Sequence, residues 1–468
     1  MQRKVFTFLL AFAAVVMFGS TAQAQQKFTA ALNTIQEVPP PTNSLGRGSC
    51  VITLNTAETQ ISATCEYSGL SSGLISGHIH GNAAPGVNAG ILFNFNPPTG
   101  STSGTFNAGP FNVTPAQVAS MRAKLFYVNL HTTNFPGGEI RGQVKIQTTP
   151  YDNDGDGRTD IRVYRPSAFT TYGINSINNT LFANIFGFAG ESPVFVSSAS
   201  DDYDGDGRGD IVLTRVSGSN IVWRILQTGS NSVREMFWGL STDREMPADY
   251  DGDGKTDIAV YRSSNAFWYV MQSSNNQLRA ENWGSAGNLP IIGDFDKDGR
   301  NDFTIVRGVT GSGVGWFTRR SSDGGLTLSF WGGAPAPGGD FIFPNVQVDI
   351  DGDGIQDRMV VRDPNAPTEN PANNTGDQMT YFIQRSSNNT AFVLPFGLDT
   401  DARFFGDYDG DGRTDLVARR NIGGQLIWFI YQSSNAQTRV VNFGSTGDSF
   451  ADDGEDEGAE SVLLKDVE

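Results

Sequence analysis

The sequence predicts an all-β protein made of an N-terminal β-sandwich and a six- or seven-bladed β-propeller. One observation is the pattern Asp-x-Asp-x-Asp-Gly-x-x-Asp, which occurs six times at blade-sized intervals, starting at residues 152, 202, 249, 294, 349 and 407. A second is that no long stretch of the 468 residues has apolar residues at helical spacing. A third is the composition, because 55 glycines and 18% charged residues suit short strands joined by tight turns.

Residues 1–24 have the features of a secretory signal peptide. Arg3 and Lys4 form the basic start, residues 5–19 are nearly all apolar, and residues 22–24 (Ala-Gln-Ala) form a small-x-small cleavage site. The alternative is a membrane anchor, which needs roughly 20 apolar residues, more than this stretch provides. We therefore expect an exported protein without a membrane span, either secreted, periplasmic or associated with the cell surface.

Residues 27–147 are predicted to form the β-sandwich. Alternating runs at 91–95 and 124–130 are typical of sandwich strands. Cys50 and Cys65, the only cysteines, flank a polar turn and would lie opposite each other in a simple hairpin. In an exported chain this predicts a disulfide, worth about 3 kcal/mol, rather than two free buried thiols.

All three histidines of the chain lie in this segment. On a strand, His78 and His80 would point their imidazoles to one face, and His131 ends another predicted strand. Three imidazoles could bind Cu or Zn. The alternative is a hydrogen-bonded cluster that fixes loops at the edge of the sandwich. Redox catalysis is disfavoured, since a superoxide dismutase needs more ligands than three histidines supply.

Five motifs are spread over this segment: Phe28-Thr-Ala-Ala-Leu-Asn, Glu37-Val-Pro-Pro, Gly77-His-Ile-His-Gly81, Tyr127-Val-Asn-Leu-His-Thr132 and Gly138-Glu-Ile-Arg-Gly-Gln143. On these motifs the segment resembles the CHRD domain first described in chordin. The resemblance implies a β-sandwich similar to that of Cu/Zn superoxide dismutase, and it does not imply a defined biochemical role.

Residues 151–445 contain the six acidic loops, which we interpret as calcium sites. Positions 1, 3, 5 and 9 supply carboxylates, position 6 is a glycine that permits a sharp turn, and position 7 would supply a backbone carbonyl. The predicted ligands are Asp152, Asp154, Asp156, Arg158 and Asp160; Asp202, Asp204, Asp206, Arg208 and Asp210; Asp249, Asp251, Asp253, Lys255 and Asp257; Asp294, Asp296, Asp298, Arg300 and Asp302; Asp349, Asp351, Asp353, Ile355 and Asp357; and Asp407, Asp409, Asp411, Arg413 and Asp415. About six Ca²⁺ ions are expected.

The loops also explain the acidity of the chain. The net charge is −17, and the six loops hold 24 of the 50 acidic residues, four in each. Six Ca²⁺ ions would add about +12, so the acidity reflects metal ligands rather than a surface for a basic partner. A nucleic-acid partner, which needs a basic patch, is not expected.

Each loop is followed by a short strand and then by aromatic strands, which gives about four strands per repeat. An arginine ends the first run five residues after the last loop aspartate, at Arg165, Arg215, Arg262, Arg307, Arg362 and Arg420. These arginines either pair with nearby loop aspartates or ring one face and bind an anionic polymer.

The block at 249–262, Asp-Tyr-Asp-Gly-Asp-Gly-Lys-Thr-Asp-Ile-Ala-Val-Tyr-Arg, resembles the FG-GAP/VCBS repeats, which are related to the loops of integrin α-subunit propellers. The resemblance covers about residues 150–445. It implies a calcium-bearing propeller on an exported protein, in a family that includes adhesion and recognition modules. The Arg208-Gly-Asp210 tripeptide is not expected to act as an integrin-binding signal, because Asp210 is a predicted calcium ligand.

Residues 446–468 are predicted to be an acidic tail. Ser461–Lys465 could close the ring against the first blade, and Asp452, Asp456 and Glu460 could mark a degenerate seventh loop.

The leading functional hypothesis is a noncatalytic, exported calcium-binding protein whose propeller recognises an extracellular or cell-surface protein or glycan, as in adhesion. The alternative is an extracellular enzyme, either polysaccharide-active through the propeller or Cu/Zn-dependent through the histidines. The sequence contains no convincing catalytic constellation, and carboxylates engaged by Ca²⁺ are poor general acids because the cation keeps them ionised.

Overall fold

The structure is a computed structural model that describes residues 26–147, 149–194, 201–309, 312–333, 340–363, 376–449 and 462–463. The predicted signal peptide and the predicted seventh loop lie outside these residues. Within them, the chain folds as two β domains, and no helix is long and apolar enough to cross a bilayer.

The N-terminal domain is one nine-stranded sheet that curls almost into a barrel. Its strands are β1 (Gln26–Asn33), β2 (Arg47–Leu54), β3 (Gln60–Ser68), β4 (Leu74–Gly81), β5 (Ile91–Asn94), β6 (Gly104–Asn112), β7 (Phe126–Thr132), β8 (Ile140–Gln143) and β9 (Lys145–Ile146). The spatial order is β5-β4-β7-β8-β1-β2-β3-β6, with β9 beside β1. The predicted all-β sandwich is thereby confirmed, as a single curved sheet.

Strand alternation builds the core of this domain. On β1, Phe28, Ala30 and Leu32 are fully buried, and their neighbours are partly exposed. Cys50 and Cys65 face each other across β2 and β3 with 4.1 Å between their Cα atoms, and they form the predicted disulfide.

The sequence analysis missed one helix, α1 (Pro115–Arg122). Thr114 caps it: its hydroxyl accepts from the N–H of Gln117, and the Gln117 side chain accepts from the N–H of Thr114. Thr-Pro-x-Gln is a capping box with proline at the first helical position, so a local signal was present.

The second domain is a six-bladed propeller. The blades are β10–β12 (Ile161–Arg165, Thr170–Ile174, Leu181–Ile185); β13–β16 (Ser192–Pro193, Ile211–Ser217, Asn220–Gln227, Ser232–Leu240); β17–β20 (Arg244–Glu245, Ile258–Arg262, Phe267–Met271, Leu278–Asn282); β21–β24 (Leu289–Ile291, Phe303–Val309, Gly313–Arg319, Leu326–Phe330); β25–β28 (Asp340–Ile342, Arg358–Arg362, Gln378–Gln384, Ala391–Leu398); and β29–β32 (Ala402–Gly406, Asp415–Ile422, Gln425–Gln432, Gln437–Ser445). A 3₁₀ turn, Pro166–Ala168, joins β10 to β11.

In blades two to six, a short first strand precedes the acidic loop, and three longer strands follow it. The first blade obtains its missing strand from the end of the propeller: the Tyr164 and Ser449 backbones exchange two hydrogen bonds of 2.7 Å. The expectation for Ser461–Lys465 was therefore wrong, since β33 (Val462–Leu463) pairs with β25 of the fifth blade. Ser449 closes the ring because it directly follows the turn after β32.

Tryptophans join neighbouring blades. The indole N–H of Trp238 donates to the carbonyl of Tyr269 in the next blade at 3.1 Å. Trp283 and Trp331 make the same contact to the carbonyls of Phe317 and Phe382, at 3.1 and 3.0 Å. Each of these tryptophans directly precedes a glycine, and its indole group links two neighbouring blades.

Candidate metal centres

The backbone of each acidic loop wraps around its own carboxylates. In the first loop, Asp152 accepts the N–H groups of Gly155 and Gly157, both at 2.7 Å. Asp160 accepts the N–H of Asn153 at 2.9 Å, and Asp156 accepts that of Arg158 at 2.8 Å. These bonds turn the carboxylates towards one centre.

All six loops repeat this geometry, so the predicted carboxylates come together. In four loops, Asp152 with Asp154 and Asp160, Asp202 with Asp204 and Asp206, Asp249 with Asp251 and Asp257, and Asp294 with Asp296 and Asp302 bring ligand oxygens within 4.8 Å of one another. The residue at position 7 always donates its N–H to the carboxylate at position 5, over 2.8–2.9 Å, from Arg158, Arg208, Lys255, Arg300, Ile355 and Arg413.

A second set of polar groups, not predicted from the sequence, lies beside these carboxylates. In the third loop, the Ser273 hydroxyl donates to Asp253 at 3.0 Å, and the Ser274 hydroxyl donates to Asp251 at 2.6 Å. Ser-Ser pairs at 321–322, 386–387 and 433–434 repeat both contacts in the last three loops. The recurrent Ser-Ser after the third strand of the blade was the available signal.

Burial makes these carboxylates costly to ionise together. Desolvation raises the pKa of Asp160, Asp210 and Asp302 to about 8, and the pKa of Asp257, Asp357 and Asp415 to about 7. Burial and the like charges of Asp156, Asp160 and Asp154 hold the pKa of Asp152 well above its usual range. Asp296 and Asp351 each have a buried carboxylate oxygen with no hydrogen-bond partner among the described residues. A cluster of hard oxygens with excess negative charge fits a Ca²⁺ ion.

The six loops are joined into a closed ring. The N–H at position 8 of each loop donates to the carbonyl at position 1 of the preceding loop, at 2.6–2.8 Å: Gly209 to Asp152, Thr256 to Asp202, Asn301 to Asp249, Gln356 to Asp294, Thr414 to Asp349 and Thr159 to Asp407. Each acidic loop therefore shares a backbone hydrogen bond with the loops on both sides.

Position 4 contains an exception that sequence reasoning overlooked. It is a glycine with positive φ in five loops and Lys297, with φ 64°, in the fourth. The Lys297 side chain forms an ion pair with Glu66 of the N-terminal domain. The left-handed backbone conformation is unfavourable for lysine. The ion pair with Glu66 makes Lys297 one of the contacts between the two domains.

The N-terminal domain sits on the ring of loops. Lys124 Nζ donates to the Asp253 carbonyl at 2.5 Å, and Lys145 Nζ lies 3.5 Å from an Asp249 carboxylate oxygen. Lys27 donates to the Gly410 carbonyl of the sixth loop. Three lysines of one domain thus meet loops three and six of the other.

The repeated arginines lie at the other end of the strands, and four of the six are held in two-point ion pairs. Asp448, Asp243, Asp340 and Asp401 each form a two-point ion pair with one arginine, respectively Arg165, Arg262, Arg362 and Arg420. Pairing with nearby loop aspartates was predicted, but the partners lie outside the six acidic loops. Asp243 and Asp401 directly precede the first strand of their blades, Asp340 begins that strand opposite Arg362, and Asp448 directly precedes Ser449, which completes the first blade.

The three histidines also come together, on the outer face of β4 and β7. His78 Nδ1 and His131 Nε2 are 2.9 Å apart, and the ring of His80 stacks on Tyr127 with 4.7 Å between centroids. Burial lowers the pKa of His78 and His80, and lowers the pKa of His131 to about 4. The ligand nitrogens of the three rings lie within 4.8 Å of one another.

Comparisons with known proteins match two separate parts of the chain to known families. Residues 28–144 match the CHRD domain, and residues 249–305 match an FG-GAP-like repeat. No curated protein matches the chain. Among solved structures, the chain is similar to TolB from Acinetobacter baumannii, with 13% identity, 68% of this chain and 77% of that chain covered, and a TM-score of 0.40. The CHRD match covers the N-terminal sheet, and the match to an FG-GAP-like repeat lies within the six-bladed propeller that follows.

Proposed function

We propose that this chain is an exported, noncatalytic recognition protein whose propeller is held together by about six Ca²⁺ ions and binds an extracellular protein or glycan. The observation that carries the proposal is the closed ring of six loops, each with converging carboxylates. An FG-GAP-like repeat and a propeller fit a role in protein interaction. The Cys50–Cys65 disulfide and the leading apolar segment favour export.

The contacts between the domains favour one end of the propeller as the partner surface. Lysines of the N-terminal domain cover part of the loop end. The opposite end carries the arginines, about 16 Å away along a five-residue strand. Arg262 lies 4.6 Å above the ring of Tyr269, and Arg362 lies 4.5 Å above that of Phe382. Half-exposed guanidinium groups on aromatic rings are suited to contacts with protein side chains or sugars.

The first test is elemental analysis of the mature protein, combined with thermal unfolding. We expect about six Ca²⁺ per chain. If free Ca²⁺ is about ten times the dissociation constant, each site adds about 1.4 kcal/mol, and six sites add roughly 8 kcal/mol. Chelation should then lower the propeller Tm by more than about 10 °C and leave the disulfide-linked N-terminal domain nearly unchanged. An unchanged unfolding profile in excess chelator would contradict the calcium proposal.

A binding screen separates recognition from catalysis. The calcium-loaded protein is applied to arrays of acidic and neutral glycans and to intact cells, and the same samples are assayed for released reducing ends. Saturable binding that is lost in chelator, without cleavage, supports the proposal. Turnover of a polysaccharide would overturn it in favour of the enzyme.

A further inference from the structure

The histidine cluster of the N-terminal domain is independent of the propeller and has no part in the function proposed above. His78 and His80 on β4 and His131 on β7 share one face of the sheet because both strands alternate: Ile79 and Leu130 point into the core. His80 and His131 are only 8% and 7% exposed. The chain has three histidines in all, and the fold gathers every one of them.

Backbone carbonyls fix the protonation pattern of two rings. His80 Nδ1 lies 3.0 Å from the carbonyl oxygen of Ala89, and His131 Nδ1 lies 3.0 Å from that of Pro136. A carbonyl only accepts, so in the neutral rings Nδ1 carries the proton and Nε2 carries a lone pair. Protein ligands of metals are commonly oriented in this way, with the second ring nitrogen bound to a carbonyl.

The ring nitrogens of the three histidines lie close together, and the lone pair on one of them has no hydrogen-bond partner among the described residues. His131 Nε2 accepts a hydrogen bond from His78 Nδ1, at 2.9 Å. His80 Nε2 is buried and has no hydrogen-bond partner among the described residues. A purely structural cluster accounts for the contact between His78 and His131. It does not account for a buried, unpaired lone pair on His80, which is costly unless a partner is supplied.

We propose that His78, His80 and His131 bind one transition-metal ion of the class that prefers imidazole, Zn²⁺ or Cu²⁺, on the outer wall of the CHRD domain. Nitrogens bound to one Zn²⁺ at about 2.1 Å lie about 3.4 Å apart in tetrahedral geometry. The present separations, within 4.8 Å, reach this value by small ring rotations, and the His78 proton moves from Nδ1 to Nε2 of the same ring, so that Nδ1 can bind the metal while the ring stays neutral. Three neutral protein ligands leave a fourth position open.

Copper EPR on the full mature chain tests the site directly. The protein is saturated with Ca²⁺ to occupy the acidic loops and is then titrated with Cu²⁺ alone. One preparation has natural nitrogen, and a second has ¹⁵N only in histidine. We expect one tightly bound Cu²⁺ per chain, displaced by Zn²⁺, with a nitrogen hyperfine pattern that changes on labelling. Identical spectra from the two preparations would overturn the proposal, and this readout needs no variant.

Variants of the histidines provide a second test of the proposed metal site. His80→Ala and His131→Ala should each weaken Cu²⁺ binding at least about 100-fold, whereas Asn94→Ala should leave it unchanged. Asn94 is an exposed residue opposite His78 on β5. Circular dichroism confirms the fold of each variant. Stoichiometric Cu²⁺ binding that survives in the folded double variant of His80 and His131 would refute the site.

Discussion

At the scale of single residues, Asp156 combines two properties. Its carboxylate is a predicted metal ligand, and its negative charge is unfavourable in the folded protein when no metal is bound. Its Oδ1 accepts from the Arg158 N–H and the Ser176 hydroxyl, at 2.8 and 2.9 Å. Burial raises its pKa, because the charged form loses water. The side chain therefore contributes charge that only a cation compensates.

We predict that Asp156→Asn removes one of about six Ca²⁺ ions and lowers the Tm in calcium by about 3–6 °C. In chelator the variant should be no less stable than the parent, because asparagine keeps both bonds to Oδ1 and removes a buried charge. Calcium analysis and calorimetry in both conditions measure these effects. Asp323→Asn, at an exposed turn outside the acidic loops, is the control for calcium content and should leave the ion count unchanged. A variant that still binds six ions, or is destabilised in chelator, would contradict this account.

A second residue-scale prediction concerns the ion pair of each blade. Asp243 is buried and accepts two hydrogen bonds of 2.8 Å from Arg262. Blade four has Asn288 at the equivalent position, in register beside Arg307. Asp243→Asn should destabilise the propeller by about 1.5–3 kcal/mol, since a charged hydrogen bond is lost. Asn288→Asp should raise the free energy of unfolding by creating the missing pair. Both are read from urea unfolding, and a shift in the same direction for both would refute the argument.

At the scale of the element, the buried aspartates of each acidic loop make the stability of the folded propeller depend on pH. The pKa of Asp160, Asp210 and Asp302 is raised to about 8 in the folded state, against a usual value near 4. A raised pKa in an acid means that the folded protein binds the proton more tightly than the unfolded chain. The stabilisation that comes from this tighter proton binding is complete below about pH 4, and it is lost as the pH rises through about 8.

We therefore predict that the chelator-treated propeller loses thermal stability continuously from about pH 5 to pH 8. The calcium-saturated protein should show a much flatter profile over the same range, because the cation holds the carboxylates ionised. Calorimetry in matched buffers, with and without Ca²⁺, measures the difference. If the metal-free protein became more stable as the pH rose, the burial argument for the loops would be wrong.

At the scale of the whole molecule, the N-terminal domain is docked on the ring by charges. Lys124 and Lys145 reach Asp253 and Asp249 of the third loop, and Lys297 returns the contact to Glu66. Burial lowers the pKa of Lys124, so its ammonium group relies on the loop carbonyl and nearby aspartates. The domains are thus linked through the same loops that we expect to bind calcium.

We predict that replacing Lys124 and Lys145 together by alanine weakens the contact between the N-terminal domain and the propeller. The double variant should have a larger radius of gyration than the parent in X-ray scattering, since each lost charged hydrogen bond costs about 1.5–3 kcal/mol. Arg47→Ala, an exposed cation of the same domain, is the control. A double variant with the parental profile would show that these lysines do not hold the domains together.

The sequence by itself determined the all-β class, the two domains, the Cys50–Cys65 disulfide and the grouping of each loop's aspartates, because all of these follow from local spacing and strand alternation. Only the tertiary structure showed how distant segments meet. The ring of hydrogen bonds joins residues such as Thr159 and Asp407, and Lys297 meets Glu66 in the other domain. The histidines required both levels: the strand pattern put two of them on one face, and the pairing of β4 with β7 brought the third within reach. Contacts between residues far apart in the chain depend on how strands pair and domains dock, and no local pattern encodes that choice.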